Sequence, residues 1–532
     1  MSAPSERRAV GVFGGEQGPR LTAALELAFP VEFLPRGSGE LRGLDAVVDL
    51  GGGEVARAGA RAGLPSLHLA AAESEQLAGP AQIRLTRAES LDQRLAGAVL
   101  LDPHAASAAA PAPPAGAAVL ASRGATPLWW AAGPFHGAAL APAELGNAEA
   151  LRDRLGAERC LALLPLVHFL REVCAEIAWK PPSPRAAFVF DDPNLHWPTY
   201  GYVDLPALSR HAREHGYHAA LATVPRDARW AHPSALRAVE ESLGAISLTV
   251  HGNDHDGGEL GRAGTTTAAI ALAAQALRRV ARFEARTGQP IERVMVPPHE
   301  KCSAATVEAL RRCGFEAISM TLPYPWLGRP PSAWLARPAE ADALVGWRPL
   351  ERTAGLPAIL RHPLACRSAA ELRLRAFLDQ PLVLYGHHGD LAAGLDALAE
   401  AQAEVATIAQ ETTWASLATI SRGSYETRLE GEVLAVRPLG NRLDVEVPAG
   451  VSTLRFEPPA AAGSPAPEVL VDGRPVAYGE AVAAPARSNV AVTLGPTPIE
   501  VAEVGAPPRR PLALARRLAN ESRDRLAPLL AR

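Results

Sequence analysis

The 532-residue sequence contains no run approaching the roughly 20 uninterrupted apolar residues that a membrane span needs. Its most apolar stretch, CLALLPLVHFL at 160–170, is too short and reads as a packed helix. Cysteine is scarce. Cys160, Cys174, Cys302, Cys313 and Cys366 are odd in number, scattered and without CxxC spacing, so thiols in a reducing compartment are expected. An excess of one charge is missing too: a net charge of −4 and a pI near 6.5 give no general pull toward nucleic acid, and none is expected as a partner. The opening MSAPSERRAVGVFGG has no apolar segment before its first strand-like run, which makes the cytoplasm the expected location.

What is present suits a multidomain α/β protein. With 48% hydrophobic and 21% charged residues, the chain can bury more than one core, and two to four domains are expected. Residues 1–150 alternate short strands and helices and read as a small α/β domain of Rossmann or flavodoxin type. Its glycine-rich turns, GVFGGEQG and DLGGGE, fit neither G-x-G-x-x-G in frame with a helix nor a P-loop with its lysine, so no nucleotide cofactor is assigned. The Ala/Pro-rich 102–118 reads as an exposed loop, and 151–185 as a helical connector ending in the stiff WKPPSPR.

From 186 to 420 regular βα units predict a parallel sheet, closed as a barrel or doubly wound, with the unusual polar residues at the C-terminal strand ends. Residues 425–505 carry short strands and an Asp-Gly turn, which predicts a small β-sandwich. The tail 506–532 forms a basic amphipathic helix with Leu514 and Leu518 on one side. Packing on the body of the protein is its favoured role, and peripheral contact with a membrane surface is the alternative.

Four strand ends hold the chemistry. FVFDDPNLHW places Asp191 and Asp192 side by side at the end of an apolar strand, where two carboxylates repel unless a cation joins them. HGNDHDGG follows a second strand and spaces His251 and His255 at i and i+4, a metal-ligand spacing. VPPHE brings His299 after a third, and LVLYGHHGD brings His387 and His388 after the last. One carboxylate and two imidazoles form a three-ligand set that leaves positions open for water and substrate, the pattern of catalytic zinc. Asn194, His196 and Trp197 make an amide- and aromatic-rich loop suited to a sugar, or equally to packing under the rim. His211, His215 and His218 read as surface residues, and Trp347 as either site lining or core.

The order Asp-Asp, His-x-x-x-His, Pro-Pro loop and late histidine resembles the NodB-homology polysaccharide deacetylases of the carbohydrate esterase family 4 type. The resemblance covers roughly 186–420. FDDPN stands for that family's Thr-Phe-Asp-Asp-Gly, HGNDH for its His-Ser/Thr-x-x-His, VPPHE for its Arg-Pro-Pro-Tyr-Gly and YGHH near its Leu-x-His. It implies a distorted (β/α) barrel and metal-dependent removal of an N-acetyl group from a sugar, glycan or other N-acetylated small molecule. Asp191 would be general base, and Asp192, His251 and His255 ligands of a divalent ion, zinc foremost, with cobalt, nickel or iron open. His387 or His388 would be general acid, and the backbone N–H of His299 an oxyanion donor.

Departures mark a divergent branch. Val296 replaces the arginine that orients the catalytic aspartate, so that contact is either missing or comes from elsewhere, with Arg361 a candidate, and Pro193, Gly252, His299 and Glu300 also break the pattern. The alternatives are a glycan-binding or scaffolding protein that keeps the barrel without turnover, and an amidase for a small non-sugar substrate. Oligomeric state is not legible.

Overall fold

The computed structural model describes residues 7–15, 18–37, 40–72, 81–147, 149–322, 343–459, 467–484, 489–508 and 511–530. They divide into two compact units: Met1–Lys180 with Arg337–Arg348 and Ser368–Leu378, and Pro181–Ala336 with Pro349–Arg367 and Asp379–Arg532. No helix among the described residues is long and apolar enough to cross a membrane.

The first unit is built on a mixed sheet. Strands Val31–Pro35, Arg8–Phe13, Ala46–Asp49, Ser66–Ala72 and Phe135–Ala141 run parallel in that spatial order; Thr126–Ala132, Ala118–Arg123, Gln82–Leu85 and Val99–Leu101 continue it antiparallel. The span expected to connect two domains is largely core here. Helix Leu164–Cys174 buries residues from Leu164 to Leu170 without interruption, because an all-apolar face has to be covered on every side. The helical connector expected over 151–185 shrinks to this helix and a short turn at Leu151–Arg154, with Gly156 paired to Arg159 between them. Helix Ala369–Phe377 and Trp347 join the same core, so Trp347 fills space rather than lining the barrel site.

In the 102–118 stretch, Asp102 is buried rather than looped out. Its carboxylate accepts from the backbone N–H groups of His104, Cys160 and Leu161 at 2.9–3.0 Å.

In the second unit, seven described strands close a parallel barrel: β1 (Arg185–Asp191), β2 (Ala219–Thr223), β3 (Ile246–His251), β4 (Glu292–Val296), β5 (Ala317–Met320), β6 (Leu356–Pro363) and β7 (Leu382–Gly386). Closure is direct, since β1 pairs in parallel with both β2 and β7. The barrel expected from the βα alternation is therefore present, and it follows from strands apolar on both faces. His218, read as a surface residue, is instead buried one position before β2, with Nε2 2.9 Å from Ser247 Oγ. Its place beside the strand outweighs the polar helix before it.

Beyond the barrel, two described four-stranded sheets enclose the apolar core of Leu434, Val436, Val445, Leu454, Phe456 and Val492, the extra sheets expected at 425–505. A helix at Pro511–Leu530 follows. Leu518 is exposed, and the side chain of Leu514 lies outside the described residues.

Candidate metal centre

The chemistry gathers at the C-terminal rim of the barrel. β1 ends in Asp191, whose side chain turns into the barrel, and Asp192 follows at φ 79°, a left-handed backbone unusual for a residue with a Cβ. That turn aims the second carboxylate across the rim at β3. Asp192 Oδ1 stands 3.1 Å from His255 Nε2 and 3.5 Å from His251 Nε2, and the three donor atoms lie within 4.8 Å of one another.

His251 closes β3 just after a register shift between Thr249 and Val250, an irregularity of the kind that re-aims a side chain. Its Nδ1–H donates to the carbonyl of Val296 at 2.9 Å, which leaves Nε2 as the nitrogen that faces Asp192. His255, at φ 53°, is held by a residue the sequence reading missed. The buried carboxylate of Glu259 accepts from the backbone N–H groups of Asn253, Asp254 and His255 at 2.6, 2.9 and 3.0 Å, pinning the whole loop. Only its closeness in sequence to the histidine pair, across Gly257 and Gly258, could have pointed to it.

One carboxylate oxygen and two imidazole nitrogens that converge on one point suit a divalent ion that keeps positions open, so the residues fit the metal that the pattern implies.

Asp191 has a different partner. Arg361, on β6 and 1% exposed, donates from both terminal nitrogens to the two Asp191 oxygens at 2.7 and 2.8 Å. The contact left vacant by Val296 thus comes from Arg361. Glu300 takes the other side of the guanidinium, accepting from Nε at 3.0 Å and from a terminal nitrogen, and its second oxygen accepts from the Thr321 backbone at 2.9 Å. The Tyr385 ring lies 4.3 Å from the guanidinium carbon. Burial pushes the Asp191 carboxyl up, but the charges of Arg361 and His251 outweigh it and hold the group below the ordinary carboxylate range. Asp192 is likewise raised by burial and brought well below that range by the two imidazoles.

The remaining expected residues divide. His299, at φ 56°, sets its ring 4.9 Å from that of His255, and burial together with the neighbouring His255 lowers its imidazole pKa. His387 is exposed at the end of β7, near enough for its charge to act on Asp191. His388 is wedged instead: its ring lies flat on Tyr202 and edge-on to Tyr200, at 5.9 and 5.7 Å, and its Nδ1 fills the space where a Cβ on Gly201 would go. Burial lowers its imidazole pKa, opposed by the carboxylate of Asp524.

Asn194 and His196 are not open to a ligand. Asn194 donates to Glu521 at 2.9 Å and accepts from Arg525, both on helix Pro511–Leu530, while His196 reaches the Asp227 carbonyl at 2.8 Å and Glu521 at 3.4 Å. Trp197 is 58% exposed and stacked on His232.

No family model and no curated protein matches the sequence. Solved structures do. The chain is similar to polysaccharide deacetylases. One is a presumptive polysaccharide deacetylase from Mycobacterium smegmatis, 17% identical over 46% of this chain and 93% of that one, with a TM-score of 0.31. Another is a family 4 carbohydrate esterase from Streptomyces lividans, in complex with acetate, 13% identical over 46% and 97%, with a TM-score of 0.26. A third is a family 4 pseudoenzyme from Bacillus anthracis, 13% identical; the match covers 42% of this chain and 62% of that one, with a TM-score of 0.25. The barrel assignment rests on the closed strand order itself.

Proposed function

We propose that the protein is a metal-dependent hydrolase that removes an acyl group, foremost N-acetyl, from a sugar or related amine. The observation that carries this reading is one strand end presenting two carboxylates with separate tasks: Asp192 among two imidazoles, Asp191 on a guanidinium. Asp192, His251 and His255 would hold the ion, with zinc the best match to one oxygen and two nitrogen donors. Bound there, it would supply Lewis-acid polarisation of the acyl carbonyl and a lowered pKa for the attacking water.

The chain's own groups do the rest. Asp191 stays ionised on Arg361, and because each carboxylate oxygen has two lone pairs, it can accept the water's proton while keeping both guanidinium contacts. His387, exposed and near Asp191, is the proton donor to the leaving nitrogen. His388, wedged beneath the tyrosines, shapes the wall.

One observation favours the alternative of a binding protein without turnover. Arg361 engages both Asp191 oxygens and lowers the group's basicity.

The test separates the two. Wild-type protein and Asp191→Asn, each loaded with one equivalent of Zn2+, are offered N-acetylated saccharides and simple N-acetyl amines, and acetate release is measured. Release by wild type, reduced about 10²–10⁴-fold in the variant with metal retained, supports the hydrolase. Metal retention without release from any member of the panel supports the binding protein.

A further inference from the structure

The loop after β1 carries a backbone that does not hold itself. Asp192 occupies the left-handed region at φ 79°, and such residues persist only where their surroundings over-determine them. The anchors can be followed along the loop. Asp191 is tied to Arg361, the carbonyl of Pro193 accepts from Thr223 at 3.2 Å, and the Leu195 carbonyl accepts from the His232 N–H at 2.6 Å.

Between these stands Asn194, fully buried, two residues past the proposed metal ligand. A buried primary amide needs both an acceptor and a donor, and leaving either unmet is costly. Within the loop only Oδ1 is met, by the His196 N–H at 3.2 Å; one turn of the C-terminal helix supplies the rest, with Glu521 accepting from Nδ2 at 2.9 Å and Arg525 donating to Oδ1. Those two residues also bind each other at 3.1 Å, one helical turn apart. The same turn reaches farther, with Glu521 3.4 Å from His196 and Arg525 over the Tyr200 ring at 5.4 Å.

We propose that Glu521 and Arg525 are positioning residues of the metal centre, clamping Asn194 so that Asp192 keeps the backbone that aims it at His251 and His255. The helix that reads in the sequence as a basic tail is then part of the site. The proposal rests on the metal reading above, and its test is chosen to tell the two apart.

Full-length wild type, Glu521→Leu, Arg525→Met, the double variant and Glu521→Gln are titrated with Zn2+ against a chromophoric chelator. Thermal melting serves as the fold control, and hydrogen exchange is followed over residues 192–202. The double variant is expected to bind Zn2+ about tenfold more weakly, as the loss of an outer support typically costs. Exchange in the loop is expected to quicken. Glu521→Gln, which keeps an acceptor for Asn194, is expected to stay within about twofold of wild type, a rescue that loss of bulk packing would not give.

Zn2+ affinity in the folded double variant within about twofold of wild type would overturn the proposal, even if exchange quickened, because the helix would then only cover the loop. If wild type itself binds no Zn2+, the metal reading fails. Exchange then decides whether the helix holds the loop: unchanged rates overturn the proposal, and faster rates support the clamp.

Discussion

The two units end their parallel strands in opposite ways. In the first, the turns after Arg8–Phe13 and Ala46–Asp49 are rich in glycine and look built for a ligand, yet they close on themselves. A Cβ on Gly14 would stand 2.6 Å from the backbone nitrogen of Gly51. Asp49 is consumed within its own turn, accepting from the N–H groups of Gly51, Val55 and Ala56 at 2.9, 3.1 and 3.1 Å. At the barrel rim, left-handed positions fall not only on glycines such as Gly252 and Gly258 but also on Asp192, His255, His299 and Glu300, which carry side chains at φ between 53° and 79°. Glycine makes such a backbone inexpensive where only packing needs it, whereas a functional side chain there has to be held against strain.

That contrast can be broken or sharpened by substitution. The largest effect is expected at Arg361. Arg361→Met leaves Asp191 and Glu300 without their shared cation, and losing one partner of a buried pair costs about 3–5 kcal/mol. The sign with pH follows from Asp191. Its folded-state pKa lies below the unfolded value in wild type, so it contributes stability above the unfolded value that is lost as pH falls through the folded one. Denaturation midpoints of wild type and variant should therefore differ most near neutral pH and converge in acid; a gap that widens in acid would contradict the pairing.

A smaller effect is expected from Gly14→Ala, which puts a methyl group against backbone at φ 75° and should cost about 2 kcal/mol. Calorimetry should show a lowered transition with Zn2+ stoichiometry unchanged. Loss of metal in this variant would mean that the two sets of strand ends are not the separate devices argued above.

The smallest is His299→Gly, which relieves a left-handed residue on the exposed rim and should change stability by no more than about 1 kcal/mol, on the favourable side. Zn2+ binding should stay intact, and so should turnover, because the N–H that would serve as oxyanion donor belongs to the backbone and is kept by glycine. A destabilised variant would show that this rim position carries no strain.

Much of the barrel was legible because alternating βα units leave a periodic trace and the strand-end residues are of unusual type. Asp192, His251 and His255 declare themselves through adjacency and the i, i+4 spacing, and the structure brings them together. Arg361 could be named only because a missing arginine at Val296 created a need for one. Glu259 was hidden because a carboxylate bonded to three backbone N–H groups looks, in one dimension, like any acidic loop residue. The assignment of Ala369–Phe377 and Trp347 to the first core was equally hidden, since helical periodicity says that a face is buried but not against what. His218 shows the same blindness at the scale of one side chain.

The contact between Asn194 and Glu521 also has a meaning in time. The two residues stand 327 positions apart, and at ordinary rates of synthesis tens of seconds pass between their additions to the chain. The strand end and turn bearing the two aspartates therefore leave the ribosome long before the helix turn that seats their loop exists. A polypeptide cut short before that turn could still close its barrel, but its Asn194 would keep only the His196 N–H and lose its contacts with Glu521 and Arg525. On the proposal above, the loop bearing Asp192 gains its outer support only once that turn has been made.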